Sequence, residues 1–334
     1  MLLVATACGA SAAGGEDEGG AGDARAATLT VYSGREEELV APLLEQFEAD
    51  TDIPLEVRYG DSAELAATIL EEGDATPADV FFSQDAGALG AVAEAGLVRE
   101  LDADILERVA ERFRSPDGSW VGTSGRARVA AYNTQALAED ELPDSILEFT
   151  DPRWKGRIGF PPTNSSFQAF VAAMIVTEGR DATAEFLRGL VANEPQTFED
   201  NSATVRAVAD GEIDVGFVNH YYIYEVAAED GDIPVANHFF TGGDPGALVN
   251  AAGVAILAST DAGNEAEAFV GDLTGERGQT YFAEDTFEYP VVDGYEPSVD
   301  LVPLDDIEGP DIDLSDLAGT LEPALRLLAE VGLL

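Results

Sequence analysis

The sequence predicts an α/β fold, because segments typical of strands and segments typical of helices alternate along most of the chain. Runs rich in β-branched and aromatic residues at 28–32, 55–60 and 78–83 are typical of strands, and the residues between them have helical spacing. This order predicts neighbouring parallel strands, whose carboxyl ends are the usual place of a ligand site. With 334 residues, 46% of them hydrophobic, the chain can bury one large core or two smaller lobes.

Three helices are predicted among these first strands. Residues 36–50 repeat leucine and phenylalanine at helical spacing, provided that Pro42 lies near the first turn, where proline is tolerated. The run 62–72 is rich in alanine, leucine and glutamate. The run 85–96 ends in a glycine, which is typical of a helix C-terminus.

The second half of the chain continues the alternation. Ser165 or Ser166 is predicted to cap one of its helices, which runs to Val176. The other predicted segments are a strand at 128–134, a turn, strand and hydroxyl-rich loop at 151–167, a helix at 202–211, a strand at 212–218, an acidic and mostly extended segment at 291–317, and a terminal helix at 315–330.

The charge is strongly one-sided, with 65 acidic against 17 basic residues and a formal net charge of -48. Nucleic-acid binding depends on lysine and arginine at phosphates, so this surface argues against a nucleic-acid partner, and anionic membrane surfaces repel it as well. Self-repulsion at such a charge is large, and salt screens it. The composition therefore predicts a solvated acidic surface of a halophilic type, adapted to high salt.

The N-terminus predicts export. Cys8 is the sole cysteine, which excludes an intrachain disulfide, and the residues before it, M-L-L-V-A-T-A, resemble the end of a bacterial lipoprotein signal peptide. Segment 1–8 lacks a basic region and is short, so we interpret it as a truncated signal, with lipid attached to Cys8. Residues 9–27 are small and acidic, typical of a flexible linker. The predicted location is the outer face of the cytoplasmic membrane, extracellular or periplasmic.

Enzyme motifs are missing from the sequence. There are two histidines, His220 and His238, and the sequence contains no G-x-S-x-G, G-x-x-x-x-G-K-[ST] or G-x-G-x-x-G pattern. A zinc site of the usual histidine and cysteine type lacks ligands. The sequence therefore predicts a binding protein and not an enzyme.

Residues 219–224, N-H-Y-Y-I-Y, concentrate three tyrosines after a predicted strand. Asn219 and His220 favour a turn there, which lets adjacent tyrosines share one site. A phenol has a pKa near ~10, so two phenolates at neutral pH need a strongly Lewis-acidic ion such as ferric iron. Core packing is the alternative interpretation of the pair, since buried aromatic residues are common. Tyr224 and Trp154 are predicted to pack in a core.

Six stretches, in order from about Leu29 to the C-terminus, carry a resemblance to a known family. They are V-Y-S-G-R, A-D-V-F-F-S, S-G-R-A-R-V, D-P-R-W-K-G-R-I-G, G-E-I-D-V-G-F-V-N-H-Y-Y and D-P-G-A-L-V-N. This ordered set resembles the ferric-ion-binding proteins of bacterial ABC iron importers, which belong to the family-1 extracellular solute-binding proteins.

The resemblance implies a two-lobed fold of the type II periplasmic-binding-protein kind, similar to one transferrin lobe, with hinge strands and a cleft that closes on the ligand. We place lobe 1 at 28–127 plus 250–300, and lobe 2 at 128–249 plus 301–334. It also implies a monomer that delivers ferric iron to the transmembrane permease of an ABC importer. The same fold with another solute, namely thiamine, a polyamine or a phosphonate, is the alternative.

The resemblance places the metal on Tyr221 and Tyr222. Glu36 stands where many members have a histidine ligand, and Gln84 where those members have a glutamate. A synergistic anion, carbonate or phosphate, is implied at a set of asparagines and small residues, namely Asn164, Ser165, Ser166, Asn201 and Asn219.

Four of the implied positions have an alternative interpretation. Glu36 could bind iron through a hard carboxylate, or it could be an acidic residue of a first helical turn, favoured by the helix dipole. Gln84 could offer its amide oxygen or bond only to water. Arg35 and Arg126 could neutralise the anion, or they could pair with local acidic residues.

Overall fold

The computed structural model describes residues 27–334 as two α/β lobes with a cleft between them, which confirms the predicted fold class. The predictions made for Cys8, for the signal segment 1–8 and for the linker up to residue 26 lie outside the described residues. Every helix within 27–334 is too short or too polar to span a bilayer.

Nine strands form the sheet framework of the described residues. They are β1 (Leu29–Ser33), β2 (Leu55–Tyr59), β3 (Val80–Ser83), β4 (Val121–Asn133), β5 (Ile158–Phe160), β6 (Gln196–Thr197), β7 (Val215–Asn219), β8 (Val235–His238) and β9 (Val249–Ile256). Their order is β2-β1-β3-β9-β4-β7-β5-β6, with β8 paired to β4.

The sheet is mixed, whereas the sequence predicted parallel strands. β1 pairs parallel with β2 and β3, and β5 pairs parallel with β6 and β7. β9 and β4 are antiparallel to their neighbours in both halves. The prediction holds within each half and fails at the two strands that carry the chain from one half to the other.

β4 belongs to both halves of the sheet. Over 121–127 it pairs with β9, and over 128–132 it pairs with β7. The predicted strand at 128–134 covered only the second part, because glycine and serine at 122–125 weaken the strand pattern. The change of partner falls after residue 127, and the lobe boundary placed there by the sequence stays a prediction.

In the part of the chain that the structure describes, eleven α-helices cover the sheet. They are α1 (Glu37–Thr51), α2 (Ser62–Glu72), α3 (Ala86–Glu94), α4 (Ala103–Leu106), α5 (Ser165–Thr177), α6 (Arg180–Ala192), α7 (Asn201–Ala209), α8 (Tyr222–Asp230), α9 (Gly263–Leu273), α10 (Glu276–Glu284) and α11 (Leu321–Glu330).

Two details of these helices differ from the sequence predictions. Pro42 lies in the second turn of α1 and not near the first. The N-cap of α5 is Asn164, whose side chain accepts from the backbone N–H of Ser166, so neither serine is the cap. An asparagine caps as well as a serine does, and the sequence pattern could not separate them.

The C-terminal segment closes over both lobes. A 3₁₀ helix at Leu314–Thr320 precedes α11, so only the second part of the predicted terminal helix is α-helical. The 3₁₀ helix packs against α3 and α5, and α11 packs against α5. Trp154 is buried in the core, as predicted.

Candidate metal and anion centre

Three strand ends meet in the cleft. β1 ends just before Arg35 and Glu36, β3 ends just before Gln84, and β7 ends at Asn219. The phenol of Tyr222 donates to Glu36 Oε1 at 3.4 Å across the cleft. Glu36 and Gln84 line a cavity of about 280 Å³ together with Asn164 and Ser165 from the opposite side. The predicted site residues therefore come together from distant parts of the chain.

The paired tyrosines lie at the turn that the sequence predicted. β7 stops at Asn219 and α8 starts at Tyr222, so Tyr221 and Tyr222 lie between the end of the strand and the first turn of the helix. Their centroids are 4.2 Å apart with an interplanar angle of 31°, and both side chains are buried. Tyr224, two residues beyond Tyr222, packs its ring 5.9 Å from that of Phe287, as expected for a packing residue.

The side chain of His220, just before the tyrosines, is held by two hydrogen bonds to the backbone. Its Nδ1 accepts the backbone N–H of Ala127 at 3.2 Å, which leaves Nε2 to donate to the carbonyl of Phe287 at 3.1 Å. Its ring lies 4.5 Å from that of Tyr289. Burial lowers the pKa of His220 to about 4, although the carboxylate of Glu288 opposes that shift. His220 is therefore a neutral structural residue, and both ring nitrogens are used.

Burial disfavours the charged form of both phenols. Burial raises the pKa of Tyr221 to about 12, and Arg126 opposes the shift. Burial also raises the pKa of Tyr222 well above its usual value, and the carboxylate of Glu36 adds to the shift. The Tyr221 hydroxyl is buried and has no hydrogen-bond partner among residues 27–334. A buried polar group without a hydrogen-bond partner lowers the stability of the folded protein unless a ligand binds to that group.

Arg35 is committed to a partner that lies far away in the sequence. Its Nη1 and Nη2 donate to the two carboxylate oxygens of Glu288 at 3.0 and 2.8 Å, and both side chains are fully buried. Burial alone would lower the pKa of Arg35, but Glu288 raises it. The acid that pairs with Arg35 is therefore distant in sequence. Both terminal nitrogens of the Arg35 guanidinium are used in this pair, so they are not available to bind an anion bidentately.

Arg126 and Arg128 are buried cations on β4. They are two residues apart on a strand, so both side chains point to the same face, and their exposed fractions are 1% and 3%. Arg126 Nε lies 3.9 Å from Glu288, and its Nε and Nη1 make no hydrogen bond. Burial, with Arg126 nearby, lowers the pKa of Arg128 to about 9. The sequence analysis missed Arg128, although the strand period could have linked it to Arg126.

A polar network surrounds the N-terminus of α5. Asn164 Oδ1 accepts from both the backbone N–H and the hydroxyl of Ser166, at 3.0 and 2.6 Å. Asn201 Nδ2 reaches the same hydroxyl at 3.4 Å. Asn201 Oδ1 and Asn219 Nδ2 are buried without a partner. The structure thus brings the predicted anion residues together, with hydrogen-bonding capacity unused.

Carboxyl groups lie at the edge of the cleft. Glu36 has an exposed surface, but the surrounding protein partly desolvates it and raises its pKa, and Asp200 adds to that shift. Glu225, one turn into α8, is half-buried, and burial raises its pKa well above the usual value. Within residues 27–334, no three histidine, cysteine, aspartate or glutamate side chains are grouped to hold a metal. A metal in this cleft would depend on the phenols.

Comparison with known proteins places the chain in a family. The sequence profile described as bacterial extracellular solute-binding protein matches residues 75–305. The Fe(3+)-binding periplasmic protein of Serratia marcescens is 34% identical over 309 residues, which cover 92% of this chain and 90% of that protein. The major ferric iron-binding protein of Neisseria meningitidis serogroup B is 33% identical over 311 residues, covering 92% and 93%.

Iron-bound HitA from Pseudomonas aeruginosa has a similar structure, with a TM-score of 0.87 and 34% identity over 92% of this chain and 99% of that one. The first two relatives are named as ferric iron-binding proteins and the third was solved with iron bound, so the prediction that the protein is not an enzyme is confirmed. The resemblance inferred from the six sequence stretches is confirmed as well: the chain belongs to the family of bacterial extracellular solute-binding proteins.

Proposed function

We propose that this protein captures ferric iron in the cleft between its lobes and that the phenolates of Tyr221 and Tyr222 are its firm ligands. The observation that carries the proposal is the pair of buried phenols, one of them without any hydrogen-bond partner. Protonated phenols at these pKa values give up their protons only to a strong Lewis acid. The names of the relatives support ferric iron as that ion.

The buried arginines support the same proposal through charge. Two tyrosinates in a dry site need positive charge nearby, and Arg126 and Arg128 supply it beside the phenols. Arg35 contributes at longer range, with Glu288 balancing its charge. A polyamine would meet two buried cations here, so this charge argues against that ligand class. An organic anion such as a phosphonate would suit the arginines, and it is the second candidate.

The anion is proposed to bind at Asn164, Ser165, Ser166, Asn201 and Asn219, with Arg126 as its charged neighbour, and it would be carbonate or phosphate. Glu36 is proposed as a further ligand from the opposite side, because its carboxylate already touches the Tyr222 phenol. Gln84 borders the same cavity and would contribute an amide oxygen or hold water.

The setting of this function is also a proposal. Cys8 would carry the lipid, residues 9–27 would form the tether, and a monomer would deliver iron to the permease of an ABC importer in a salt-rich medium. Lobe 1 (28–127 plus 250–300) and lobe 2 (128–249 plus 301–334) would close on the ion and open at the permease, a ligand-driven shift between two populations.

Titration of ferric citrate into the purified protein in high salt, followed by visible absorbance, tests the proposal. We expect a tyrosinate-to-iron band with one iron per protein, and its loss when Tyr221 and Tyr222 are both replaced by phenylalanine. A titration without a band, together with a thermal shift caused by phosphonate, would instead favour the second candidate.

A further inference from the structure

The short segment 286–289 follows α10 and contacts the turn that carries the paired tyrosines. The carbonyl of Phe287 accepts a hydrogen bond from Nε2 of His220 at 3.1 Å. The other ring nitrogen of His220 accepts the backbone N–H of Ala127, the residue after which β4 changes its partner strand. Because His220 directly precedes Tyr221, Phe287 holds the start of the turn that presents the two phenols.

The next residue of the segment contacts the opposite side of the cleft. Glu288 accepts hydrogen bonds from both terminal nitrogens of Arg35, at 3.0 and 2.8 Å, and both side chains are fully buried. Arg35 directly precedes Glu36, the proposed ligand on that side. Two consecutive residues, Phe287 and Glu288, therefore hold the immediate neighbour of a proposed iron ligand on each side of the cleft.

The backbone of Phe287 is left-handed, with φ of 54°, and only three non-glycine residues within 27–334 have a positive φ. A residue with a Cβ atom is disfavoured in this region, and it persists there only where the surrounding structure imposes it. The chain is fixed directly after this residue. The N–H of Glu288 donates to the carbonyl of Phe282 at 2.8 Å, and Tyr289 exchanges two backbone hydrogen bonds with Gly125 of β4. The left-handed residue therefore lies between the contact to one side of the cleft and the contact to the other.

We propose that Phe287 is a positioning residue, whose left-handed backbone sets the distance between Glu36 and the phenols of Tyr221 and Tyr222. The carbonyl of Phe287 and the carboxylate of Glu288 then hold the two ligand-bearing turns in one relative position. In another backbone conformation at residue 287 the two contacts cannot both be kept, and Glu36 no longer reaches an ion that is bound by the phenols. This inference rests on the proposed iron function and assigns the residue that sets the geometry of its site.

The side chain of Phe287 has a separate role in packing. Its ring lies 5.9 Å from that of Tyr224 and packs at the border of the apolar cluster around the paired tyrosines. A test of the backbone must therefore remove the ring in every variant and change only the preference of residue 287 for a positive φ. Glycine and asparagine adopt a positive φ readily, whereas β-branched valine does so rarely.

The test compares Phe287→Gly, Phe287→Asn and Phe287→Val in the purified protein at high salt, with iron affinity measured by citrate competition and the visible band. We expect the glycine and asparagine variants to bind iron alike. The valine variant should keep the band but bind about tenfold more weakly, the lower range for a group that supports a metal. Equal affinity in all three variants overturns the inference, because loss of the ring then accounts for any change. If the valine variant does not fold, Phe287→Ala replaces it and must still bind iron more weakly than Phe287→Gly.

A double-mutant cycle separates positioning from a general loss of stability. Independent substitutions have additive effects, whereas substitutions that remove the same contact do not. We expect Glu36→Gln to weaken iron binding about tenfold in the wild type and to cause little further loss in the valine or alanine variant of Phe287. An undiminished effect of Glu36→Gln in that variant overturns the inference, and so does a wild type that is insensitive to Glu36→Gln. In both cases a persisting iron band leaves iron binding intact, whereas a wild type without an iron band overturns both proposals.

Glu194→Val is the matched control. Glu194 also has a positive φ, of 51°, but it is an exposed residue between α6 and β6, and its ion pair with Lys155 lies at the surface. Valine is disfavoured there for the same backbone reason, so the variant should lose stability but keep the iron affinity of the wild type. A tenfold loss of affinity in this control would show that any unfavourable left-handed residue weakens iron binding, and it would overturn the assignment to Phe287.

Discussion

The two sides of the cleft are built differently. The tyrosine wall, defined as Ser166, Asn201, Asn219, Tyr221 and Tyr222, is buried, and hydrogen bonds through Arg128 and Ser166 link its two asparagines. The glutamate wall, defined as Glu36 and Gln84, offers an exposed carboxylate and an amide on two separate strand-to-helix loops. Under the proposed function, the tyrosine wall would be preorganised to hold the ion and the glutamate wall would complete the site on closure.

The largest effect should come from the tyrosine wall itself. Tyr221→Phe or Tyr222→Phe removes an anionic ligand, so apparent iron affinity should fall by more than about a hundredfold, the upper range for an outer-shell partner of a metal. Competition against citrate, read from the visible band, measures this loss. Tyr224→Phe is the matched control and should bind as the wild type does. Similar affinity in all three variants would show that the wall does not hold the ion.

The buried ion pair between Arg35 and Glu288 should have its main effect on the free energy of unfolding. Glu288→Gln leaves Arg35 buried without its carboxylate, and we expect a loss of about 3–5 kcal/mol in the free energy of unfolding. Glu267→Gln breaks a partly exposed pair with Arg99 and should cost no more than about 1 kcal/mol. Urea denaturation at fixed salt compares the two. Equal losses of unfolding free energy in the two variants would mean that the buried pair stabilises the fold no more than the partly exposed pair does.

His220, behind the tyrosine wall, should make stability depend on pH. The unfolded imidazole binds a proton below about pH 6.5, whereas the folded one resists protonation down to about 4. The unfolded state therefore binds more protons in this window, and stability should fall as pH falls through it.

Comparison of the wild type with His220→Gln isolates this contribution. Buried acids such as Glu225 change stability in the opposite direction as pH falls, because their folded pKa values are raised, but they are common to both proteins. We expect the wild type to lose about 3 kcal/mol more than the variant between those two pH values. Parallel stability curves in urea would contradict the assignment of a neutral, buried His220.

The glutamate wall should give the smallest effects on iron. Glu36→Gln should weaken iron binding about tenfold, the lower range for groups that support a metal, and Gln84→Ala should weaken it less. Glu37→Gln is the control, because Glu37 is an exposed acid in the first turn of α1. If Glu36→Gln changes only stability, and by the same amount as Glu37→Gln, then Glu36 serves the helix dipole and the glutamate wall is not a ligand wall.

Local patterns predicted the parts of the site that are continuous in sequence. The strand that ends at Asn219, the turn and the two tyrosines follow each other directly, so composition and period were enough to place them. The α/β alternation likewise predicted both halves of the fold. Periodicity did not predict β4 as one strand of 13 residues, because its glycines and serines lack the side chains that mark a strand.

Contacts between distant residues could not be predicted in this way. Glu288 lies 253 residues after Arg35, and one sequence gives no signal that the two side chains meet. The orientation of the Asn201 amide depends on its contact with Ser166, and that of the Asn219 amide on its contact with Arg128, which are properties of geometry alone. Residue types at the site were therefore predictable, but their hydrogen-bond assignments were not.

The pairing of Arg35 with Glu288 also constrains the order in which the molecule can assemble. β1, β2 and β3 lie near the start of the chain, but β9, which extends their sheet, lies much later. The buried Arg35 that follows β1 is neutralised only by Glu288, near the end of the chain. Closing contacts over so long a span is slow, because the loop entropy is lost before the contact forms. A chain emerging from the ribosome cannot finish this lobe until its last fifth is present, so the first lobe in sequence is completed late in folding.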